Sequence, residues 1–143
     1  MKMKKNITNL LWIIVLTTIA LSACGSQNPE ELLGEKIWEL TSMGPENNPI
    51  PILLNSKVTL QFNFDETQIS GKASCNNYFA GFEIDEDEIK ISAAGSTMMY
   101  CEPEELMAQE NAFLMALGEA HHFTIQNGEL TIQFGNNQVL LFK

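Results

Sequence analysis

Lys57-Val58-Thr59-Leu60-Gln61-Phe62-Asn63-Phe64 alternates apolar and polar side chains without a break. That period of two predicts a strand with Val58, Leu60, Phe62 and Phe64 on one face and Thr59, Gln61 and Asn63 on the other. A strand with one apolar face needs cover, and the flanking sequence supplies it as further strands. Asp65-Glu66 turns the chain, and Gln68 to Lys72 returns as the second arm of a hairpin. A small polar segment, Ser74 to Asn77, leads into a strand from Tyr78 to Ile84; the acidic turn Asp85 to Glu88 then precedes a strand from Glu88 to Ser92. Upstream, Ile37 to Thr41 alternates around Trp38 and Leu40 and is ended by Gly44-Pro45. Pro49-Ile50-Pro51 lacks the donors a central ladder requires, so it reads as a loop or edge segment.

Downstream the period changes. Pro103 suits a first helical position, with Glu102, Glu104 and Glu105 where the helix dipole favours negative charge, and Gly118 suits the residue past the end. Leu106, Phe113 and Leu117 share one face of this helix. Three alternating strands close the chain. His122 to Gln126 and Glu129 to Phe134 are joined by the hairpin signal Asn127-Gly128, and Gly135-Asn136-Asn137 leads to Gln138 to Phe142. The pattern predicts an α+β domain: a small, strongly curved antiparallel sheet or partial barrel of about seven to eight strands with one packed helix.

The N-terminus belongs to something else. Lys2, Lys4 and Lys5 precede a twelve-residue uncharged run, Leu10 to Leu21, the layout of a secretory signal. Such a run is too short to cross a hydrocarbon core of roughly 30 Å as a helix. Leu21-Ser22-Ala23-Cys24 resembles the bacterial lipobox, so cleavage before Cys24 and acylation of that cysteine are expected; an ordinary signal with a chance cysteine is the other reading. Acyl chains contribute about 0.8 kcal/mol per buried CH₂, and several on one residue anchor a protein durably. The expected organisation is a signal peptide at 1–23, a lipidated N-terminus and polar tether at 24–31, and one domain at 32–143. The protein is then exported and held to the cell membrane or outer membrane by its acyl chains, with the domain within about 28 Å of the bilayer.

Composition sharpens this. The whole chain has 143 residues and a formal charge of −10; without residues 1–23 it keeps 5 Lys against 18 acids, a net of −13, and it has no Arg. Clustered basic charge for nucleic acid is missing, and so is a basic surface for an anionic membrane. About 120 residues suffice for one core and not for two domains.

Cys75 and Cys101 remain if Cys24 carries lipid, and an even pair in an exported chain points to one disulfide. Its 26-residue separation corresponds to about 3.5 kcal/mol of loop entropy. Two buried thiols or a reactive or metal-binding pair are the competing readings; the metal reading lacks a C-x-x-C and a nearby His. No nucleophile elbow, zincin, P-loop or dinucleotide motif occurs, and no cofactor or metal is expected. His121 and His122, adjacent on a strand, point to opposite faces and cannot chelate together, so one packed and one solvated ring is expected. Asp85 to Glu88 lacks the spacing and glycine of a Ca²⁺ loop and reads as a solvated turn.

Glu110 lies four residues after Leu106 and three before Phe113, on the face those residues turn inward. A carboxylate there needs partners. It reads either as a general acid or ligand contact in a cleft, or as a structural carboxylate accepting hydrogen bonds from a neighbouring loop, and the second is expected. Met98, Met99, Met107 and Met115 sit near or on the helix; core filling is expected, with an adaptable apolar pocket as the other reading.

Four segments together resemble the META domain family of bacterial lipoproteins and exported proteins (HslJ-like): Leu33 to Leu40, Ser74-Cys75-Asn76-Asn77-Tyr78, Ser96-Thr97-Met98-Met99-Tyr100-Cys101, and Glu110 to Leu117. The resemblance spans about residues 32–142 in the right order. One departure is Ser74, where the family usually has Gly. The resemblance implies an antiparallel sheet with one packed helix, pairing of Cys75 with Cys101, and a polar cluster of Asn76, Asn77 and Glu110 near that bond. It implies a link with heat or envelope stress and supplies no reaction.

Three functions follow as expectations. The first is a non-enzymatic envelope protein whose domain binds or supports another envelope component. The second is a carrier of a small apolar ligand or lipid in the domain interior. The third is an acidic binder or inhibitor of a cationic envelope protein such as a lysozyme.

Overall fold

The alternating segments do find one another, and they close into a ring. The structure is a computed structural model that describes residues 28–34 and 36–143. The predicted signal peptide, Cys24 and most of the tether therefore lie outside the described residues. In chain order the elements are α1 (Pro29–Leu33), β1 (Trp38–Pro45), β2 (Ile50–Pro51), β3 (Thr59–Asn63), β4 (Gln68–Lys72), β5 (Asn77–Asp85), β6 (Glu88–Ile91), β7 (Gly95–Ser96), α2 (Glu104–Gly118), β8 (Ala120–Gln126), β9 (Glu129–Phe134) and β10 (Gln138–Phe142).

The strands run β10-β9-β8-β6-β5-β4-β3-β1, and β1 pairs with β10 as well, so eight antiparallel strands form a closed barrel. The two short extra strands attach outside it, β2 to β1 and β7 to β5. The expected α+β class and strand number hold, and the sheet closes fully. Closure depends on β1, which pairs with β3 at Trp38 and Glu39 and with β10 from Leu40 to Pro45. A register irregularity between Leu40 and Ser42 bends the strand at that handover, and Thr41 Oγ1 donates to the Leu141 carbonyl at 3.0 Å. This pairing explains why β1 continues to Pro45 instead of ending at Thr41.

Val58, Leu60 and Phe62 point inward as the alternation requires, joined by Trp38, Leu40, Ile69, Leu130 and Ile132. At Gly71 the backbone of β4 approaches the Thr59 carbonyl so closely that a Cβ would collide with it. The barrel has two ends. At the lower end the turns after β3, β5 and β8 come together with α1, whose N-cap Asn28 accepts from the Glu30 N–H at 3.2 Å. The chain expected to be tether is thus helical from Pro29 onward, and Leu33 is fully buried. The Trp38 indole N–H donates to the Leu33 carbonyl at 3.2 Å, and Phe62, Phe64 and Phe82 pack as a trio beside it with centroids 5.1–6.2 Å apart.

At the upper end lies α2, with Phe113, Ala116 and Leu117 buried beneath it. Pro103 is its N-cap in extended conformation, one position earlier than expected, and Gly118 is its last residue, with Glu119 as C-cap. Among the described residues no helix is long and apolar enough to cross a membrane.

Candidate functional site

The helical periodicity that carries Phe113 and Leu117 inward also carries Gln109 and Glu110 inward, and both are buried. A polar group in that position is tolerable only if its hydrogen bonds are made inside the protein. Glu110 receives three donors: the Cys75 N–H at 3.1 Å, the Asn76 N–H at 2.7 Å and the Asn76 side-chain amide at 2.7 Å. The bonds to Asn76 reach both carboxylate oxygens.

Asn76 extends the chain of contacts outward. Its Oδ1 accepts from the Thr97 hydroxyl at 2.7 Å and from the Met99 N–H at 2.8 Å, while its Nδ2 also donates to the Met99 carbonyl at 3.1 Å. The Cys75–Cys101 disulfide covers the same segment. Helix α2, the turn before β5 and the loop from Thr97 to Cys101 are therefore tied at one place. With only donors facing it and 3% of its surface exposed, Glu110 offers no open carboxylate to a substrate.

Asn77 does not join the cluster. It is exposed, because adjacent strand residues point to opposite faces: Asn76 and Tyr78 inward, Asn77 outward. Only its backbone takes part, its N–H donating to Thr97 Oγ1 at 3.2 Å and its carbonyl accepting from the Thr97 N–H at 3.0 Å. Tyr78 packs edge-on against Phe113 and donates from its hydroxyl to the Thr59 carbonyl at 2.9 Å. Burial pushes that hydroxyl well above the ordinary tyrosine range.

Gln109, which the sequence reading passed over, is the second knot. Its Oε1 accepts from the Leu53 N–H at 2.7 Å, and its Nε2 donates to Ser56 Oγ at 2.9 Å and Ser74 Oγ at 2.7 Å. The signal was present: a glutamine three residues after Leu106 and four before Phe113 falls on the apolar stripe, where an unpartnered amide would be costly. Ser74 itself holds φ +81°, a left-handed conformation that glycine adopts freely and serine does not.

Three of the four methionines contradict the expectation of core filling, while Met107 is half-buried. Met98 is 99% exposed, and Met99, Tyr100 and Met115 are also exposed. The loop that carries the first three is pinned by Asn76 and the disulfide, so its apolar side chains have nowhere inside to go. Phe79, exposed on the outer face of β5, pairs in register with Gly95 just before that loop. His121 is exposed and His122 half-buried, 3.7 Å from the Asp87 carboxylate. Among the described residues no group of three His, Cys, Asp or Glu is placed to hold a metal ion.

The META domain family model matches residues 31–143. The chain belongs to the META domain family. This is not a known enzyme family. Solved structures share the fold: a protein from Burkholderia xenovorans determined by NMR (TM-score 0.65, 19% identity, 79% of this chain and 83% of that one), another NMR structure (0.61, 21%, 81% and 94%), and a crystal structure of a DUF4847 family protein from Bacteroides vulgatus (0.60, 13%, 80% and 96%). No curated protein matches the chain in sequence. Against the META pattern, the departure at Ser74 now has a physical content: a position suited to glycine carries serine, and its hydroxyl serves Gln109.

Proposed function

We propose that this META domain is a non-enzymatic binding module, exported and anchored to a membrane by acyl chains on Cys24, which engages another envelope component in stress response or envelope maintenance. One observation carries the reading: Met98, Met99 and Tyr100 are exposed on a loop held rigid by the disulfide and by the bonds of Asn76. A loop fixed in advance loses little conformational entropy when a partner covers it, and exposed apolar residues in one place mark interaction sites.

The anchor suits the two ends of the barrel. With α1 docked, only residues 24–28 separate the lipid from the folded domain, about 14 Å when extended. Half of the 18 acids lie in α1 and the lower turns (Glu30, Glu31, Asp65, Glu66, Asp85 to Glu88 and Glu129). Lys36 and Lys143 stand at the same end, beside Gly128 and Glu129, and offset only part of this charge. An anionic bilayer therefore repels the end within a Debye length of about 10 Å, which leaves the acyl chains as the attachment and the upper loop directed away. The carrier reading finds no support inside the barrel, where Trp38, Phe113, Leu60 and Ile132 are packed without exposure.

A photo-crosslinking residue at Met98 in the full lipidated chain, in intact cells, tests the reading. Specific protein adducts are expected there, and none from the same group at Glu66. Equal labelling from both positions would discard the upper loop as the contact. Metabolic labelling with an alkyne-tagged fatty acid, expected in the native chain and lost in Cys24→Ser, tests the anchor.

A further inference from the structure

A groove of about 600 Å³ runs along the outside of α2, between the helix and the β1–β2 edge. Its floor and walls are apolar, with Met43, Ile50, Leu53, Ala112, Met115 and Phe134 facing it; Ile50 and Met115 are 64% and 68% exposed. Its lining contains two carboxylates, Glu105 and Glu119, and no Lys or His. Glu105 stands in the first turn of α2 and Glu119 is its C-cap, so fourteen residues of helix, about 21 Å, separate them.

The groove is built in advance. Gln109 lies buried between its walls and accepts from the Leu53 N–H at 2.7 Å while donating to Ser56 and Ser74, which holds the segment after β2 at a set distance from the helix. On the other side β2 is held to β1 by the pairs Ser42–Pro51 and Met43–Ile50. Neither wall depends on an occupant for its position.

We propose that this groove binds a short segment of another exported protein in which apolar side chains are flanked by Lys or Arg. The floor supplies apolar surface, and the carboxylates toward the two ends of the helix ask for cations at a matching separation. An extended chain covers about 21 Å in about six residues. A second copy of this domain fits poorly, because each copy carries a net −13. The inference rests on the domain being a binding module but not on its anchor or on the Met98 loop, so it stands or falls in solution whatever the crosslinking shows.

The test is a fluorescence-anisotropy titration of the purified chain, residues 24–143 with the disulfide intact. The probe is fluorescein-labelled Lys-Phe-Leu-Ser-Leu-Lys; the controls are Glu-Phe-Leu-Ser-Leu-Glu and Lys-Ser-Gly-Ser-Gly-Lys. The cationic apolar probe is expected to bind at least about tenfold more tightly than either control, a difference of about 1.4 kcal/mol. Raising salt to about 0.5 M should weaken it several-fold by screening the rim. Ala112→Trp fills the groove from an exposed helix position and Met115→Lys places a cation in it; each is expected to reduce binding about tenfold or more with an unchanged melting temperature. Any of four results overturns the proposal: no binding of the probe at millimolar concentration, equal binding of the acidic control, binding indifferent to both variants, or self-association of the chain that Ala112→Trp abolishes.

Discussion

The two ends of the barrel are closed by opposite chemistry. At the lower end α1 brings Leu33 into the apolar core that holds Phe62 and Phe82, and one indole hydrogen bond steadies it. At the upper end α2 brings a buried carboxylate and a buried amide, and six hydrogen bonds plus a disulfide tie them to neighbouring loops. Apolar closure is non-directional and tolerates small shifts. Polar closure fixes geometry, because each donor must meet its acceptor, and that is the end where exposed residues are held in place.

The contrast can be broken by mutation. Glu110→Ala should have the largest effect: it strands the Cys75 and Asn76 backbone N–H groups and one N–H of the Asn76 amide, a loss of about 3–5 kcal/mol. Urea unfolding measures it, and a loss under about 1 kcal/mol would mean that the polar closure contributes little. Removing the disulfide by Cys75→Ala with Cys101→Ala should cost about 3.5 kcal/mol, on the loop entropy of the 26-residue separation. Leu33→Ala at the other end should cost about 2–3 kcal/mol, since the five-residue helix that carries it can shift to close part of the space. If it cost more than Glu110→Ala, the ranking of the two ends would reverse.

Alkaline titration sharpens the upper end further. Tyr78 stays protonated in the fold beyond its ordinary value of 10.0 because burial disfavours the phenolate. The unfolded chain therefore releases that proton first, and stability should fall by about 1.4 kcal/mol per pH unit above pH 10. Tyr78→Phe, measured by thermal unfolding across that range, should lack this part of the slope. The smallest effect belongs to Ser74→Gly. Relief of the left-handed serine, about 1 kcal/mol, opposes loss of the Gln109 acceptor, also about 1 kcal/mol, so a net change within about 1 kcal/mol is expected.

The same division runs through what the sequence could reveal. Residues 57–64, Gln68 to Lys72 and the Asn127-Gly128 hairpin were legible because alternation and turn chemistry are local. Barrel closure was not, since β1 and β10 lie about a hundred residues apart and their pairing requires a bend that no single residue announces. The inward position of Glu110 followed from a period of 3.6, whereas its partners came from two distant segments. Asn77 was placed in the cluster by the family resemblance, which does not say which way a strand residue points, and Met98 was misplaced by treating apolarity as burial. Helix α1 escaped because five residues give too little periodicity to stand out from a tether.

One residue at the lower end turns this arrangement into something observable. Residues 24–143 contain a single tryptophan, Trp38, whose indole N–H is bonded to the Leu33 carbonyl and whose ring lies 3.6 Å beneath the Lys36 ammonium. Both contacts come from the segment that immediately precedes the barrel. Pulling α1 out of its seat would wet the indole and move its emission to longer wavelength. The protein thus carries its own optical gauge of whether α1 and the barrel stay joined.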